Sequence, residues 1–347
     1  MKDLKELILE TDNTMQDAIK NLENSRMKIV LVEKNKKFVG IVTDGDIRRG
    51  ILQGFSQKTP IKKILNKRAI VCNSSYSQEE LKNIMIKNGI NSIPIVNKNK
   101  KIIDIKFLFE NEIKKKNHIT NYMVIMAGGK GKRLMPLTKY LPKTLLKVSG
   151  KPIVKHIIQR AKNNGYGNFI ISINHLGRLI KKKIGNGKSL SVKIKYIKEN
   201  KKLGTAGSLS LMKKILKNNF VVTNGDVITN INYNDLLKFH IENNSIATMA
   251  IRSYEIKNPF GEIRTIGNEI VDYFEKPVYK SYINTGIYAF HPRILKLIKY
   301  NEEISMIQLF KKIKQKKFKV LAYPIHERWI DIGTPENFFS ANKFVNE

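Results

Sequence analysis

The sequence predicts an α/β protein of two domains, in which a small repeated unit precedes a larger domain built on a mostly parallel, mixed sheet. Two observations predict this. One order of helix, strand and strand occurs twice in the first third of the chain, and apolar strands alternate with amphipathic helices after it. A length of 347 residues suits about two domains. We therefore expect domains at 1–118 and 121–347, with the first divided at about residue 60.

The two copies in the first domain follow the same pattern of apolar periodicity. In the first copy, helical spacing at Met15–Leu22 precedes apolar strands at Lys28–Val32 and Phe38–Val42. The second copy, which we expect to end at about residue 115, has a helix and two strands at Gln78–Lys87, Ser92–Val96 and Ile102–Ile105. A repeat of this kind predicts two units that pack face to face.

The larger domain begins after the polar linker Lys114–His118, at the apolar strand Tyr122–Ala127. The elements that follow alternate in type, which predicts parallel strands with helices on both faces of the sheet. They are a helix at Pro152–Asn163, strands at Asn168–Ile173 and Val192–Lys198, a helix at Ala206–Leu216 and a strand at Phe220–Thr223. Beyond Ile246 we expect short strands that extend the sheet and form a substrate-binding lobe. These lie near Ala247–Arg252, Glu269–Phe274 and Ile287–Phe290.

The formal charge of +35 is distributed along the whole chain. Nucleic-acid binding predicts basic residues clustered with aromatic ones, and the dispersed lysines do not fit that class; they would still attract phosphorylated substrates. No segment approaches the roughly 20 apolar residues that span a bilayer. The lone Cys72 cannot form an internal disulfide and the first residues are charged. We therefore expect a cytoplasmic protein that binds neither nucleic acid nor a membrane.

The segment Phe38–Arg49, which reads FVGIVTDGDIRR, resembles the cystathionine-β-synthase-type (CBS) domains, and the resemblance covers residues 1 to about 115. It implies that Thr43 and Asp46 hold the ribose of a regulatory adenosine nucleotide. In the second copy Phe107 and Glu110 occupy those two positions, so at most one standard site is expected. The alternative is that the acidic residues only cap the next helix and that the pair is a scaffold. Tandem CBS units commonly associate, which implies a homodimer or higher homo-oligomer.

A glycine-rich segment, AGGKGKRL at Ala127–Leu134, directly follows the first strand of the larger domain. Glycine has no Cβ and tolerates positive φ, so such a loop brings backbone N–H groups close to phosphate oxygens. It lacks the third glycine of the dinucleotide fingerprint and the Gly-Lys-Ser/Thr end of a P-loop. By itself this loop is compatible with a purely structural turn as well as with phosphate binding.

The continuation PLTKYLPK at Pro136–Lys143 completes a pattern that resembles sugar-phosphate nucleotidyltransferases over residues 121–347. The resemblance implies a Rossmann-like, GT-A-like domain that binds a nucleoside triphosphate and a sugar 1-phosphate. In that family the loop and its arginine hold the triphosphate, and the lysine lies at the reaction centre. The matching residues here are Ala127, Gly128, Gly129, Gly131, Arg133 and Lys143. One position departs, because Lys132 stands where threonine or serine is usual.

Further segments match this family in order. Leu203–Gly207 opens the predicted helix and implies nucleotide binding by Gly204, Thr205 and Gly207, because a helix start suits an anion. The resemblance assigns the sugar phosphate to Gly261, Glu275, Lys276 and Asn284.

Asp226 and Asp331 are the carboxylates that we expect to bind a metal ion. Asp226 follows an apolar strand, at the end where open α/β sheets bind ligands, and Asp331 lies between apolar residues. Mg²⁺ takes one or two protein carboxylates and leaves its other positions to water and phosphate oxygens. Arg133 and Lys143 would stabilise charge as a sugar phosphate attacks the α-phosphorus. The histidines show no metal-ligand spacing, and we expect surface positions or core packing for His156, His175, His240 and His291.

The CBS pair together with the GGKG and LGTAG segments looks most like the glucosamine-1-phosphate guanylyltransferases of bacterial legionaminic acid synthesis. That resemblance implies GTP as the donor and a role in surface or flagellar glycans. Mannose- or heptose-1-phosphate guanylyltransferases and UTP- or CTP-dependent enzymes remain alternatives. A different class is a nucleotide sensor with an inactive transferase domain, in which one of the four charged site residues would have been lost.

Overall fold

The computed structural model describes residues 4–25, 28–108 and 119–346. The chain divides into two compact units, Met1–Lys116 and Asn117–Glu347. The expected linker Lys114–His118 and Glu110 lie outside the described residues.

In its described residues, the first unit contains two small sheets and three α-helices. Its strands are β1 (Ile8–Glu10), β2 (Ile29–Lys34), β3 (Lys37–Thr43), β4 (Ser92–Val96) and β5 (Ile102–Phe107), and its helices are α1 (Met15–Asn24), α2 (Asp44–Leu52) and α3 (Gln78–Asn88). Strand β2 lies between β1, to which it is parallel, and β3, to which it is antiparallel. Strands β4 and β5 form the antiparallel pair of the second repeat.

Each helix of this unit begins at a capping box. Thr14, Thr43 and Ser77 accept a hydrogen bond from the backbone N–H three residues on, and the acidic side chain there accepts one in return. The two repeats are joined by an apolar cluster in which Ile29 and Leu31 of β2 pack with side chains of β5. The contact between the two repeats therefore rests on burial of these β-branched and leucine side chains.

The second unit is built on a seven-stranded main sheet and three smaller strand pairs. The strands of the whole unit are β6 (Ile119–Ala127), β7 (Lys147–Val148), β8 (Lys151–Pro152), β9 (Tyr166–Ile173), β10 (Lys193–Lys198), β11 (Phe220–Asn224), β12 (Val227–Thr229), β13 (Ala247–Lys257), β14 (Glu262–Ile266), β15 (Glu269–Phe274), β16 (Val278–Phe290), β17 (Val320–Pro324) and β18 (Trp329–Asp331). The main sheet has the order β10-β9-β6-β11-β16-β13-β17. Only β16 runs against the other six, so the prediction of a mostly parallel mixed sheet is confirmed.

Helices cover this sheet and bury both of its faces. They are α4 (Ile153–Asn163), α5 (Gly177–Ile184), α6 (Tyr233–Glu242), α7 (Met306–Gln315) and α8 (Pro335–Asn346). Alternate residues of β6 enter two separate cores, Met123 and Ile125 on one face and Val124 on the other. This burial on both faces explains why the parallel strands read as continuous apolar runs. None of the helices in the described ranges is long and apolar enough to cross a membrane.

The predicted helix at Ala206–Leu216 is wrong in type. The structure has a 3₁₀ helix at Gly207–Met212 instead. Leu209 and Met212 are both buried, and their spacing of three residues fits a 3₁₀ helix as well as an α-helix. Glycine and serine in this segment favour the α-helix only weakly.

The region after Ile246 combines an extension of the sheet with a separate hairpin. Strands β13 and β16 pair along their length, first within the main sheet and then as a two-stranded ribbon beyond it. Strands β14 and β15 form their own antiparallel pair between them in sequence.

Candidate active site

The glycine loop begins where β6 ends, in the middle of the sheet. Gly131 has a φ of 65°, and a Cβ there would lie 3.0 Å from the side chain of Thr138 and 3.3 Å from Cβ of Lys143. The hydroxyl of Thr138 donates to the carbonyl of Gly131 at 2.9 Å. The loop therefore folds back against the segment that carries Lys143, in a backbone conformation that favours glycine.

A cavity of about 550 Å³ lies beside this loop. It is formed largely by residues that follow the carboxyl ends of the parallel strands β6, β9, β10 and β11, which is where open α/β sheets bind ligands. Its lining residues are Met126, Gly128, Gly129, Lys130, Gly131, Lys132, Asn174, His175, Glu199, Lys202, Gly204, Thr205, Asn224 and Asp226. Three lysines in this lining make the cavity attractive to an anionic ligand.

Asp226 lines this cavity, and strand pairing brings Asp331 beside it, outside the set of lining residues. Strand β12 follows Asp226 directly and pairs with β18, so that Val227 lies opposite Asp331. The backbone N–H of Ile332 donates to the carbonyl of Asp226 at 2.9 Å. The ammonium Nζ of Lys143 lies 2.5 Å from Oδ2 of Asp226 and 3.9 Å from Oδ1 of Asp331. One lysine and two aspartates from three distant segments thus form a single cluster.

The electrostatics of Asp331 reflect crowding by a second carboxylate. Burial and the negative charge of Asp226 raise the pKa of Asp331, although Lys143 and Arg133 act in the opposite direction. Arg133 and Asp331 both lie against Gly333. A Cβ on that glycine would lie 3.4 Å from the two terminal guanidinium nitrogens of Arg133 and 3.4 Å from Oδ2 of Asp331. The predicted set of Arg133, Lys143, Asp226 and Asp331 is therefore brought together.

The two aspartates also fit a divalent cation. Oδ1 of Asp226 and Oδ1 of Asp331 are both buried and have no hydrogen-bond partner among the described residues. Buried carboxylate oxygens without partners are costly, and a hard cation would satisfy them. No group of three or more histidine, cysteine or acidic side chains suited to a metal occurs in the described residues, so any ion here would take its other ligands from water or substrate.

Glu199 lies at the opposite side of the cavity, directly after β10. Its side chain is buried, and Oε1 accepts a hydrogen bond from the hydroxyl of Ser172 at 2.8 Å. A Cβ on Gly128 would lie 2.7 Å from this oxygen, so the glycine leaves room for the carboxyl. Burial raises the pKa of Glu199, while hydrogen bonds from Ser172, Asn174 and the backbone of Leu203 oppose that shift.

The LGTAG segment contributes differently from expectation. Gly204 and Thr205 line the cavity, but the hydroxyl of Thr205 accepts the backbone N–H of Met306 at 2.7 Å. Gly207 is not among the lining residues; a Cβ there would lie 2.1 Å from the carbonyl oxygen of Glu302. Since a 3₁₀ helix of six residues replaces the longer helix that was predicted, this segment brings no long helix dipole to the cavity.

None of the four residues expected to bind the sugar phosphate is among the cavity-lining residues. A Cβ on Gly261 would lie 3.5 Å from Oε2 of Glu275, so these two are neighbours. Glu275 and Lys276 are exposed, with their charged groups 3.8 Å apart. The amide of Asn284 donates to the hydroxyl of Tyr288 and accepts the backbone N–H of Gly286.

In the first unit, Thr43 and Asp46 are hydrogen-bonded to each other. The hydroxyl of Thr43 donates to Oδ2 of Asp46 at 2.6 Å, and the backbone N–H of Thr43 donates to the same oxygen at 2.8 Å. Asp46 also pairs with Arg49. A polar cavity of about 350 Å³ lies beside them. It is lined by Asp46, Arg49, Gly50, Gln53, Lys63, Ile64, Leu65 and Asn66.

Sequence reasoning did not single out several residues of the larger cavity as ligand-binding. They are Asn174, His175, Glu199, Lys202 and Asn224. Asn174, Glu199 and Asn224 stand at or directly after the ends of apolar strands, and that position was the available signal. His175 is exposed in the cavity wall.

Comparison with known proteins gives a family match for each unit. The sequence model described as nucleotidyl transferase matches residues 122–347. The model described as CBS domain matches residues 2–53 and 61–105.

Among individual proteins, a mannose-1-phosphate guanyltransferase of Pichia angusta is 32% identical over 227 residues, covering 63% of this chain and 62% of that protein. A UTP–glucose-1-phosphate uridylyltransferase of Synechocystis is 27% identical over 242 residues, covering 64% and 62%. This chain therefore spans under two thirds of the length of either relative. The crystal structure of HddC from Yersinia pseudotuberculosis superposes with a TM-score of 0.52 at 23% identity, over 65% of this chain and 100% of that one, and supports the fold alone.

Proposed function

Because the chain belongs to the nucleotidyl transferase family, we propose that it transfers a nucleoside monophosphate from a nucleoside triphosphate to a sugar 1-phosphate and releases pyrophosphate. The observation that carries this proposal is the cluster of Lys143, Asp226 and Asp331 at one end of a cavity lined by the glycine loop. Such a cluster can bind phosphates and neutralise the charge that develops when they react.

The reaction needs positioning and charge neutralisation more than proton transfer. An oxygen of the sugar phosphate, already an anion near neutral pH, attacks the α-phosphorus, and the bond to the pyrophosphate oxygen breaks in line. Backbone N–H groups of the glycine loop hold the triphosphate. Lys143 and Arg133 stabilise negative charge on the transferring group and on the leaving pyrophosphate. No general base is required.

Asp226 and Asp331 would hold Mg²⁺ through the two buried carboxylate oxygens that lack partners. When bound, the ion would neutralise phosphate charge and align the two substrates. Lys143 contacts Asp226, so the lysine and the ion would share the carboxylates. We propose that Lys143 turns toward a phosphate when both substrates are bound.

We propose GTP as the donor, because Glu199 suits guanine. A carboxylate only accepts hydrogen bonds, and guanine alone among the four bases offers two adjacent donors, N1–H and N2–H₂, on its Watson–Crick edge. Ser172, which holds the carboxyl, belongs to β9, two strands from β11. Glu199 itself follows β10, three strands from β11, so at about 4.8 Å per strand its carboxyl would lie roughly 14 Å from Asp226, which leaves room for a base and a ribose between them. The guanyltransferase of Pichia angusta is consistent with this choice.

The sugar is proposed from the resemblance, with glucosamine 1-phosphate first and mannose or heptose 1-phosphate next. Gly261, Glu275, Lys276 and Asn284 would contact it after a rearrangement, because they lie outside the present cavity lining. An inactive nucleotide sensor is the competing class. The retained cluster of Arg133, Lys143, Asp226 and Asp331 argues for an enzyme.

The test is pyrophosphate release by the full-length protein, with four nucleoside triphosphates, a panel of sugar 1-phosphates, and either Mg²⁺ or EDTA. We expect a metal-dependent signal with GTP that is lost in Asp226→Asn. Silence with every pair, with and without adenosine nucleotides for the CBS pair, would reject the enzyme in favour of the sensor. A signal confined to UTP or CTP would retain the transferase and reject guanine.

The role of Glu199 has its own test. Glu199→Gln keeps the size and the hydrogen bond from Ser172 but replaces one acceptor with a donor, which opposes guanine N1–H. We expect kcat/KM for GTP to fall roughly 10- to 100-fold, as for the loss of a charged hydrogen bond. Unchanged GTP use by this variant would remove Glu199 from base recognition without affecting the proposed transferase activity.

A further inference from the structure

The segment Ser253–Tyr282, here called the β arm, is regular β structure that buries almost nothing. It contains the outer halves of β13 and β16 and the whole β14–β15 hairpin. Within the arm no residue is buried, and most are exposed. An isolated two-stranded hairpin is marginally stable in water, because it cannot bury an apolar face. The arm therefore needs a surface to pack against.

Large apolar side chains concentrate on the arm. Of the 26 exposed large hydrophobic residues in the described chain, 12 belong to these 30 residues. They are Tyr254, Ile256, Phe260, Ile263, Ile266, Ile270, Val271, Tyr273, Phe274, Val278, Tyr279 and Tyr282. At roughly 200 Å² for a fully exposed side chain, their exposed fractions amount to on the order of 1,000 Å² over both faces. The largest apolar patch of an ordinary monomer is about 300–600 Å².

Register places apolar side chains together on single faces. Ile256 lies opposite Tyr279 in the ribbon, and Ile263 lies opposite Tyr273 in the hairpin. Side chains directly opposite in antiparallel strands project to the same face. Each pair thus presents a compact apolar unit to solvent.

The charge of the arm indicates which partner can cover it. The arm has five acidic and four basic residues, a net charge of −1, whereas the other 317 residues carry +36. Two copies of so basic a chain repel each other over most of their surface. Two copies can approach at the arm, where the net charge is close to zero. Its positive and negative side chains are interspersed, as in the pair Glu255 and Lys280, 3.5 Å apart within one chain, so opposite charges of two copies can also meet across a twofold axis.

The backbone also offers unpaired edges. Strand β17 pairs with β13 only over Ala247–Ile251, and β11 pairs with β16 only over Ile287–Phe290. In the described part of the chain, no other strand covers the outer edges of the ribbon. Free edges flanked by apolar side chains favour association with another β segment.

We infer that the β arm is the interface of a homodimer, in which the arms of two copies pack on each other about a twofold axis. One face of the arm offers roughly half of this apolar area, on the order of 500 Å², which is comparable to the apolar share of the roughly 800 Å² per partner that a stable interface buries. This interface belongs to the transferase unit and is independent of any pairing between CBS units.

The test measures the mass of the full-length protein by light scattering. We expect the 40.0 kDa chain to form at least a dimer, and the double variant Ile263→Lys with Tyr273→Lys to halve the wild-type mass. Both side chains are exposed, so the fold should persist. The conservative pair Ile263→Leu with Tyr273→Phe should keep the wild-type mass. Tyr300→Lys, a matched exposed aromatic outside the arm, should keep it too.

Two outcomes would overturn the inference: a monomeric wild-type protein, or a double-lysine variant that keeps the wild-type mass. If the double variant fails to fold, hydrogen exchange of the wild-type protein decides. Amides of β14 and β15 should exchange at least tenfold faster when the protein is diluted below its association range. Exchange in these strands that does not change with concentration would also overturn it.

Discussion

The ammonium of Lys143 and the carboxylate of Asp226 lie 2.5 Å apart, although 83 residues separate them in the sequence. Lys143 follows the glycine loop and Asp226 follows β11, so this pair connects the loop to the end of a central strand. Replacing Lys143 by methionine keeps the length of the side chain and removes its charge. We expect kcat to fall roughly 10²- to 10³-fold, the usual cost of losing a charge-stabilising donor at a reaction centre.

The control is Lys139→Met, which removes a cation from the same segment, Pro136–Lys143. Lys139 lies over the ring of Tyr140 and contacts neither carboxylate. We expect pyrophosphate release close to that of the wild type. Equal losses in the two variants would mean that only the general basic field matters.

Asp331→Asn should abolish transfer and yet raise the melting temperature at pH 7 in EDTA. Burial and Asp226 raise the folded-state pKa of Asp331 above its unfolded value of 3.8. The folded state then binds its proton more tightly, so stability declines as pH rises through the interval between the two pKa values. Asparagine carries no such charge. The difference from wild type should vanish below pH 3.8, where both states are protonated.

A carboxylate with the opposite shift serves as the control for that experiment. Lys62 lowers the pKa of Asp12, so Asp12→Asn should not raise the melting temperature. A fall in melting temperature for Asp331→Asn would show that its contacts outweigh its desolvation.

Gly207→Ala should destabilise the protein by about 1–3 kcal/mol, because a Cβ would lie 2.1 Å from the carbonyl oxygen of Glu302. The clash is with backbone, which cannot turn aside as a side chain can. Gly129→Ala is the matched control, since a Cβ there would meet nothing within 4 Å. Thermal unfolding of both variants measures the difference. Equal melting temperatures of the two variants would contradict this structural role of Gly207 and favour the predicted role in nucleotide binding.

His240 should make the protein acid-sensitive. It is fully buried, Nδ1 lies 2.9 Å from the hydroxyl of Thr248, and Nε2 has no partner among the described residues. Burial lowers the pKa of His240 from 6.5 to about 4. The unfolded chain therefore binds a proton first, and stability falls as pH drops from 6.5 toward 4, by at most about 1.4 kcal/mol per pH unit.

His240→Gln should reduce this acid dependence, as measured by chemical denaturation at pH 7 and pH 5. His175→Gln, which changes an exposed histidine, should leave it unaltered. An identical pH dependence in wild type and His240→Gln would assign the acid sensitivity to other groups.

Asp46→Ala tests nucleotide binding by the CBS pair separately from helix capping. The variant should lose the capping box of α2, at a cost of about 1 kcal/mol, together with any thermal stabilisation by adenosine nucleotides. Asp17→Ala removes the equivalent capping box of α1 and should retain the nucleotide effect. Loss of the nucleotide shift in both variants, or in neither, would reject a site at Asp46.

The sequence alone predicted the class of the two units and all strands of the main sheet except β17. Apolar runs such as Phe220–Asn224 are long, buried on both faces and bounded by glycine or polar residues, so local composition defines them. The prediction of a CBS pair followed by a nucleotidyltransferase domain is confirmed by both family matches. The glycine loop was identifiable for the same reason, because its residues are contiguous.

The tertiary structure alone decided how distant residues meet. The pairing of β12 with β18 sets Asp226 beside Asp331 across about a hundred residues, and no local pattern encodes that register. The close approach of the Glu302 backbone to Gly207 likewise joins two segments that are far apart in the chain. The exposure of the β arm also follows from tertiary structure, because it depends on which strands pair with one another. Local preferences act within a few residues, whereas sites and interfaces arise from packing between segments far apart in the chain.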